Sequence, residues 1–220
     1  MATKDEDVRS RTSLNMDSRT AAPPMQPRVM VPKGPANAGP IGLMAFGMTT
    51  VLLNFYNAGI AESGTVGLIA CYGIMHGGFV QLLAGMWEIS AGKVFTGTAF
   101  TSYGAFWMGL GLFDLLIVTN NLVPGDISEG KCVWLCIWGT FTFMMFMGTF
   151  RANRTVQFVF LSLALLFFLL AGGVYSDTVH KIAGAVGIVC GGSAMYLGWA
   201  ELMNEVYQRD MIPIFKIKWQ

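Results

Sequence analysis

The carboxylates Glu88, Asp114 and Glu201 lie in or at the edge of long apolar stretches, and so does the imidazole of His76. Each can take up and release a proton, and an ionisable group in such surroundings is costly enough to suggest a use. An acid–base device needs a partner within reach. His76 has no carboxylate four residues away on either side, so it reads as a packed histidine rather than a relay. Glu88 falls near the end of its apolar stretch, where a charge is cheap, while Asp114 sits deeper. Cys132 and Cys136 stand four apart, but neither a His nor a second Cys pair accompanies them, so they read as small apolar packers and no metal or cofactor is indicated. No nucleophile stands beside a base, which argues against an intramembrane enzyme.

The same apolar stretches carry many uncharged donors. Asn54 and Asn57 share one helical face. Gln81 follows His76; Thr98, Thr101, Ser102 and Tyr103 cluster; Gln157 and Ser162 fall further on, and Asn204 and Glu205 follow Glu201. Amide N–H and hydroxyl groups can replace part of the hydration shell of a small carboxylate without trapping it as lysines would. The competing use of such residues is hydrogen bonding between helices.

The elements that must position these groups follow from composition. The chain has 220 residues, 54% hydrophobic and 12% charged, with 27 Gly and 15 Met. Soluble domains carry about 25% charged residues, so a soluble enzyme, a disordered chain and a disulfide scaffold are all poor fits. Charge is also unevenly placed: residues 1–39 hold six Lys/Arg and four Asp/Glu, 40–205 five and eight, and 206–220 three and one. A spanning helix needs roughly 20 apolar residues. Six windows of that kind occur, near 41–60, 66–89, 97–119, 132–150, 155–174 and 179–203. Leu161 to Ala171 lacks the polar stripe that a helix of a soluble bundle would show. The joints between windows are rich in Gly, Pro, Asn, Ser and charge.

With six spans, twelve Lys/Arg share one side and two, Lys131 and Lys181, the other. The positive-inside rule then makes both termini cytoplasmic. The expected organisation is a disordered N-terminal tail over 1–39, a six-helix transmembrane domain over 40–205 and a C-terminal tail over 206–220. The proline-rich N-terminal tail has no apolar core of a signal peptide, and Ala2 excludes myristoylation. Lys216-Ile217-Lys218-Trp219-Gln220 fits a K-x-K-x-x retrieval signal of the endoplasmic reticulum, but a basic segment beside anionic lipid is the simpler reading. Glycines at Gly73-x3-Gly77 and Gly187-x3-Gly191 allow close helix approach, within the chain, between subunits or beside a pore.

Several segments together resemble the acetate uptake transporter family, which holds bacterial succinate–acetate transporters and fungal acetate and ammonia-export proteins. The family signature N-P-A-P-[LV]-G-L stands here as Asn37-Ala38-Gly39-Pro40-Ile41-Gly42-Leu43, with Ala38 in place of the first Pro. The run from Met44 to Asn54, the segment Gly77-Gly78 with Gln81 and Gly85, the block Thr98 to Trp107, Val156 to Leu163, and Tyr196-Leu197 through Glu201 to Glu205 are similar too. The resemblance covers about residues 37–213.

It implies an all-α membrane protein, a homohexameric ring of six-helix protomers, each with its own pore. It places a hydrophobic constriction at Phe46, Tyr103 and Leu163, with the Tyr hydroxyl and nearby Thr donors handling the carboxylate. Asn37, Pro40, Gly42, Leu43, Thr49, Asn54, Gln81, Thr101 and Gln157 are the expected pathway residues. Glu88, Asp114 and Glu201 are the candidates for proton coupling if transport is a symport rather than channel-like. The implied cargo is acetate, with succinate as a further substrate, in the plasma membrane or, if the retrieval signal operates, the endoplasmic reticulum. Lipid and the small carboxylate are the expected partners, with no nucleic acid. An ammonium or neutral-solute pathway and a non-transporting scaffold are the rival functions.

Overall fold

Four helices of this chain end in the same way, with one residue in the left-handed region just past the last turn. These residues are Gly59 (φ 75°), Gly92 (φ 79°), Asn120 (φ 56°) and Gln208 (φ 51°). The conformation lets backbone N–H groups reach carbonyls that the helix end leaves unpaired. Lys93 N–H, for example, donates to Glu88 O at 2.9 Å. The computed structural model describes residues 35–123 and 125–217. Residues 1–34 of the expected 1–39 tail, Pro124 and the last three residues of the K-x-K-x-x pattern lie outside them; of the rest of that stretch, Ala38 is buried and Gly39 opens the first helix.

Among the described residues, six helices are long and apolar enough to cross a membrane. They are α1 Gly39–Asn57, α2 Thr65–Ser90, α3 Val94–Val118, α4 Ser128–Gly148, α5 Arg154–Gly173 and α6 Asp177–Val206. The expected windows match these to within a few residues. Two helix starts carry side-chain caps of the usual kind. Asn153 accepts from Val156 N–H at 2.8 Å to open α5, and Ser176 caps α6. Asp126 Oδ1 accepts from Ser128 N–H at 2.9 Å at the head of α4, and that bond holds the Asp126 carboxyl below its ordinary value.

Two glycine seams organise the bundle. α1 and α6 run antiparallel, with Gly47 against Gly191 and Asn54 against Gly187. A Cβ added at Gly191 would stand 2.7 Å from Gly47 O, so the backbones touch with no side chain between them. α2 and α3 meet likewise: a Cβ at Gly104 would stand 2.8 Å from Leu82 N, and one at Gly111 2.6 Å from Ala70 O. Both seams lie within one chain, which answers the packing question that the sequence left open for Gly187 and Gly191. α5 packs between α4 and α6. Gly73–Val80 of α2 is wound as a π-helix, a departure that no periodicity of the sequence announced.

The C-terminal residues, expected as a tail, are held against the helices. After α6 the chain turns back at Gln208 and lies as a strap across the ends of α5 and α6. The Asn204 side chain binds Ile212 twice, donating to its O and accepting from its N–H, both at 2.8 Å. Tyr196 Oη donates to Pro213 O at 2.6 Å, Thr155 Oγ1 to Ile214 O at 3.1 Å and Arg154 N–H to Phe215 O at 3.0 Å. Ile214 packs against the core, and Lys216 pairs with Asp210 at 2.7 Å. Hydropathy missed the strap because it is held by backbone groups rather than by a long apolar run.

Candidate functional site

A helix repeats every 3.6 residues, so positions three, four and seven apart share a face. On α1 this links Phe46, Thr50, Leu53 and Asn54; on α3, Tyr103, Phe106 and Trp107; on α5, Leu163, Leu166, Phe167 and Leu170. All eleven line one cavity between the three helices. Its volume is about 20 Å³, room for a water-sized particle and no more.

Phe46, Tyr103 and Leu163, expected as a constriction, therefore meet at one place. All three are buried, and the Phe46 and Tyr103 rings lie 5.9 Å apart at 49°. Tyr103 is further fixed by Phe141, at 5.7 Å between ring centres, and by Trp138 at 5.9 Å. Its hydroxyl lies 2.9 Å from Thr142 Oγ1. Thr142 spends its own proton on Trp138 O at 2.7 Å, so Tyr103 is the donor in the pair. The Tyr103 hydroxyl, expected to face the carboxylate, is thus engaged with α4.

Two other polar groups belong to residues of the cavity lining. Thr50 Oγ1 and Trp107 Nε1 are buried in the cavity lining and have no hydrogen-bond partner in the structure. Such groups are expensive to bury unless something meets them. Asn54, the one cavity residue among the expected pathway amides, is already engaged: Nδ2 donates to Thr50 O at 2.8 Å and Oδ1 accepts from Asn57 at 3.1 Å. Thr50 and Trp107 were quoted only inside longer blocks of the sequence. The signal that would have singled them out is spacing, since each stands four residues beyond a constriction residue.

The remaining expected residues lie outside the cavity lining. Thr49 donates to Ala45 O at 2.8 Å and abuts Gly77. Thr101 donates to Gly97 O at 2.7 Å. Gln157 reaches Thr149 O at 3.3 Å at the head of α5. Gln81 is buried in α2, with Oε1 unpartnered. His76 packs its ring 5.0 Å from Tyr72 and away from the cavity. Among the described residues no cluster of His, Cys, Asp or Glu could hold a metal.

The start of α1 is the second notable place. Glu88 is buried there and accepts three hydrogen bonds: from Ala38 N–H at 3.0 Å, from Lys93 Nζ at 3.1 Å and from Thr96 Oγ1 at 2.6 Å. Lys93 Nζ also donates to Asn37 Oδ1 at 2.8 Å, which in turn accepts from Gly39 N–H at 3.1 Å. Glu201 comes from α6 to the same spot, its Oε2 standing 2.8 Å from where a Cβ on Gly39 would lie. Pro40, Gly42 and Leu43 are buried beside it, with Gly42 against the Phe100 ring. Asp114 lies in the latter half of α3, half-buried, toward Lys131. Two of the three candidate carboxylates therefore share one end of the bundle and the third does not.

Residues 20–219 match the family model described as the GPR1/FUN34/yaaH family. The chain is 44% identical over 181 residues to the succinate-acetate/proton symporter SatP of Escherichia coli strain K12, covering 81% of this chain and 95% of that one. It is 29% identical over 200 residues to acetate permease A of Emericella nidulans, covering 84% of this chain and 67% of that one. Among solved structures it is similar to the bacterial acetate channel SatP, with a TM-score of 0.77 at 44% identity, covering 81% of this chain and 98% of that one.

Proposed function

The chain belongs to the GPR1/FUN34/yaaH family, and from that membership we propose that it carries acetate, and succinate as a larger relative, across a membrane. It is a membrane transport protein and not an enzyme. The route in this reading runs along α1, α3 and α5 and narrows at Phe46, Tyr103 and Leu163.

One observation carries the residue-level reading. The cavity at the constriction pairs two buried, unpartnered donors, Thr50 Oγ1 and Trp107 Nε1, with an apolar wall of Leu53, Leu166 and Leu170. A monocarboxylate, which enters only once the side chains turn aside, has the matching polarity, with two oxygens at one end and a methyl at the other. The donors replace water on the carboxylate, and the wall accepts the methyl. The three constriction side chains keep water and larger ions out until they turn aside, which is gating by dewetting. Asn37, Pro40, Gly42 and Leu43 shape the approach from the start of α1. Positive charge on that side of the chain supports cytoplasmic termini. A plasma-membrane location and a homohexamer complete the proposal.

The test is labelled acetate uptake into liposomes that hold only this protein, with and without an inward proton gradient. Acetate entry above that of empty vesicles is the expected result. Accumulation driven by the gradient means symport, and equilibration that ignores the gradient means a channel. Flux no greater than in empty vesicles overturns the proposal and leaves a scaffold role.

A further inference from the structure

Glu88 and Glu201 approach the start of α1 from two sides, but they are not equivalent. Glu88 is fully buried, and both of its oxygens are occupied by Ala38 N–H, Lys93 Nζ and Thr96 Oγ1. It ties the signature segment to the joint between α2 and α3. Glu201 is partly exposed and has no Lys or Arg within ion-pair distance among the described residues. The charged groups that face it are Lys93 and Glu88 from that joint and Glu205 one turn further along α6; from the start of α1 it meets the Asn37 amide, just ahead of the helix, and Gly39. Lys93 is already committed to Glu88 and Asn37. Among the described residues, two carboxylates thus share one ammonium, and Glu201 is the one that it does not pair with.

The place matters as much as the charge. Gly39, which Glu201 touches, lies seven residues before Phe46 on the same face of α1. Two helical turns, about 10 Å, separate them. On the transport reading, a carboxylate approaching the constriction along this end of α1 would meet Glu201.

We propose that Glu201 is the proton-accepting residue of this mouth, and that a carboxylate passes it when Glu201 is protonated while Glu88 stays locked to Lys93. The inference rests on the transport reading above. Ionised Glu201 repels an incoming anion. Protonated, it removes that repulsion and offers an O–H donor to the anion's oxygen. The proton comes from the solution on that side and returns to solution when the anion has left, so no bond other than O–H forms or breaks. Proton and anion then favour each other's binding by the same factor.

The experiment is acetate flux in proteoliposomes at fixed acetate-anion concentration, with pH varied on the α1-start side, for the wild type, Glu201→Gln, Glu201→Asp and Glu88→Gln. Wild-type flux should rise by about threefold or more between pH 8 and pH 5.5. Glu201→Gln should flatten that dependence, and Glu201→Asp should keep it. Glu88→Gln should lower flux at every pH and keep the slope. An unchanged slope in Glu201→Gln, or a slope lost only in Glu88→Gln, overturns the inference. Absence of flux in the wild type would instead remove the transport reading. If Glu201→Gln does not assemble, infrared spectra of the wild type and Glu201→Asp decide the matter. A protonated carboxyl band that appears on acidification and shifts in the Asp variant supports the assignment, and no such band overturns it.

Discussion

The Tyr103 hydroxyl donates to Thr142 Oγ1 across 2.9 Å, joining α3 to α4 behind the constriction. The ring faces Phe46 while its polar end faces away, so Tyr103 acts as a wall held by a tether. Removing the hydroxyl should then barely touch transport. Tyr103→Phe is expected to keep acetate flux within about twofold and to cost about 1 kcal/mol of stability. Thr142→Val should cost more, about 1–3 kcal/mol, because it leaves the buried Tyr103 hydroxyl without an acceptor. Flux assays and thermal midpoints in detergent read the two effects separately. A tenfold loss of flux in Tyr103→Phe would return the hydroxyl to the substrate.

Phe46→Ala and Leu163→Ala remove the apolar bulk that closes the cavity. Each should raise acetate flux or admit longer monocarboxylates, at a stability cost of about 2–5 kcal/mol. The measurement is the ratio of butyrate to acetate flux. An unchanged ratio in both variants would move the constriction elsewhere.

Thr50→Val and Trp107→Phe keep shape and delete the unpartnered donors. If these donors hold the carboxylate, each change should raise the half-saturating acetate concentration by about tenfold, a net loss of about 1.4 kcal/mol. Saturation curves check this, and a double variant no worse than either single one would show that only one donor touches substrate.

Gly191→Ala drives a methyl into Gly47 O, whereas neighbouring Gly192 has open space around it. The first substitution should destabilise by about 1–3 kcal/mol or more and lower recovery of folded protein, while Gly192→Ala should be silent. Thermal midpoints of the two variants, side by side, test whether the α1–α6 seam is as tight as its geometry implies.

Asn204→Ala should release the strap without unfolding the bundle. Loss of two hydrogen bonds to Ile212 is expected to speed tryptic cleavage at Arg209 by roughly tenfold or more. Equal cleavage rates would mean that the Tyr196, Thr155 and Arg154 contacts suffice.

The six helices were legible because a bilayer core imposes a length and a composition that Leu161 to Ala171 displays openly. Phe46, Tyr103 and Leu163 came from the resemblance, and the structure brings all three to one cavity. What spacing alone could not supply was the direction of a hydroxyl. Tyr103 can reach either side of its helix, and only the position of Thr142 decides which. The pairing of Glu88 with Lys93 was equally out of view, because it depends on how the joint after α2 folds back on Ala38. The strap escaped because its partners are backbone groups, which every residue carries alike.

The seam between Gly47 and Gly191 bears on how fast the gate can work. Phe46 is the residue next to Gly47, so its backbone is pressed against α6 and cannot draw back. Opening at that point falls to rotation of Phe46 about its own side-chain bonds, with Leu163 yielding opposite. Such motions run on the picosecond to nanosecond scale when a side chain is free and more slowly when it is packed, whereas rocking of half a transporter takes microseconds to milliseconds. If the proposed gate operates in this way, its throughput is set by the residence time of a carboxylate beside Thr50 and Trp107, and its temperature dependence should be shallow, as for diffusion through a narrow passage.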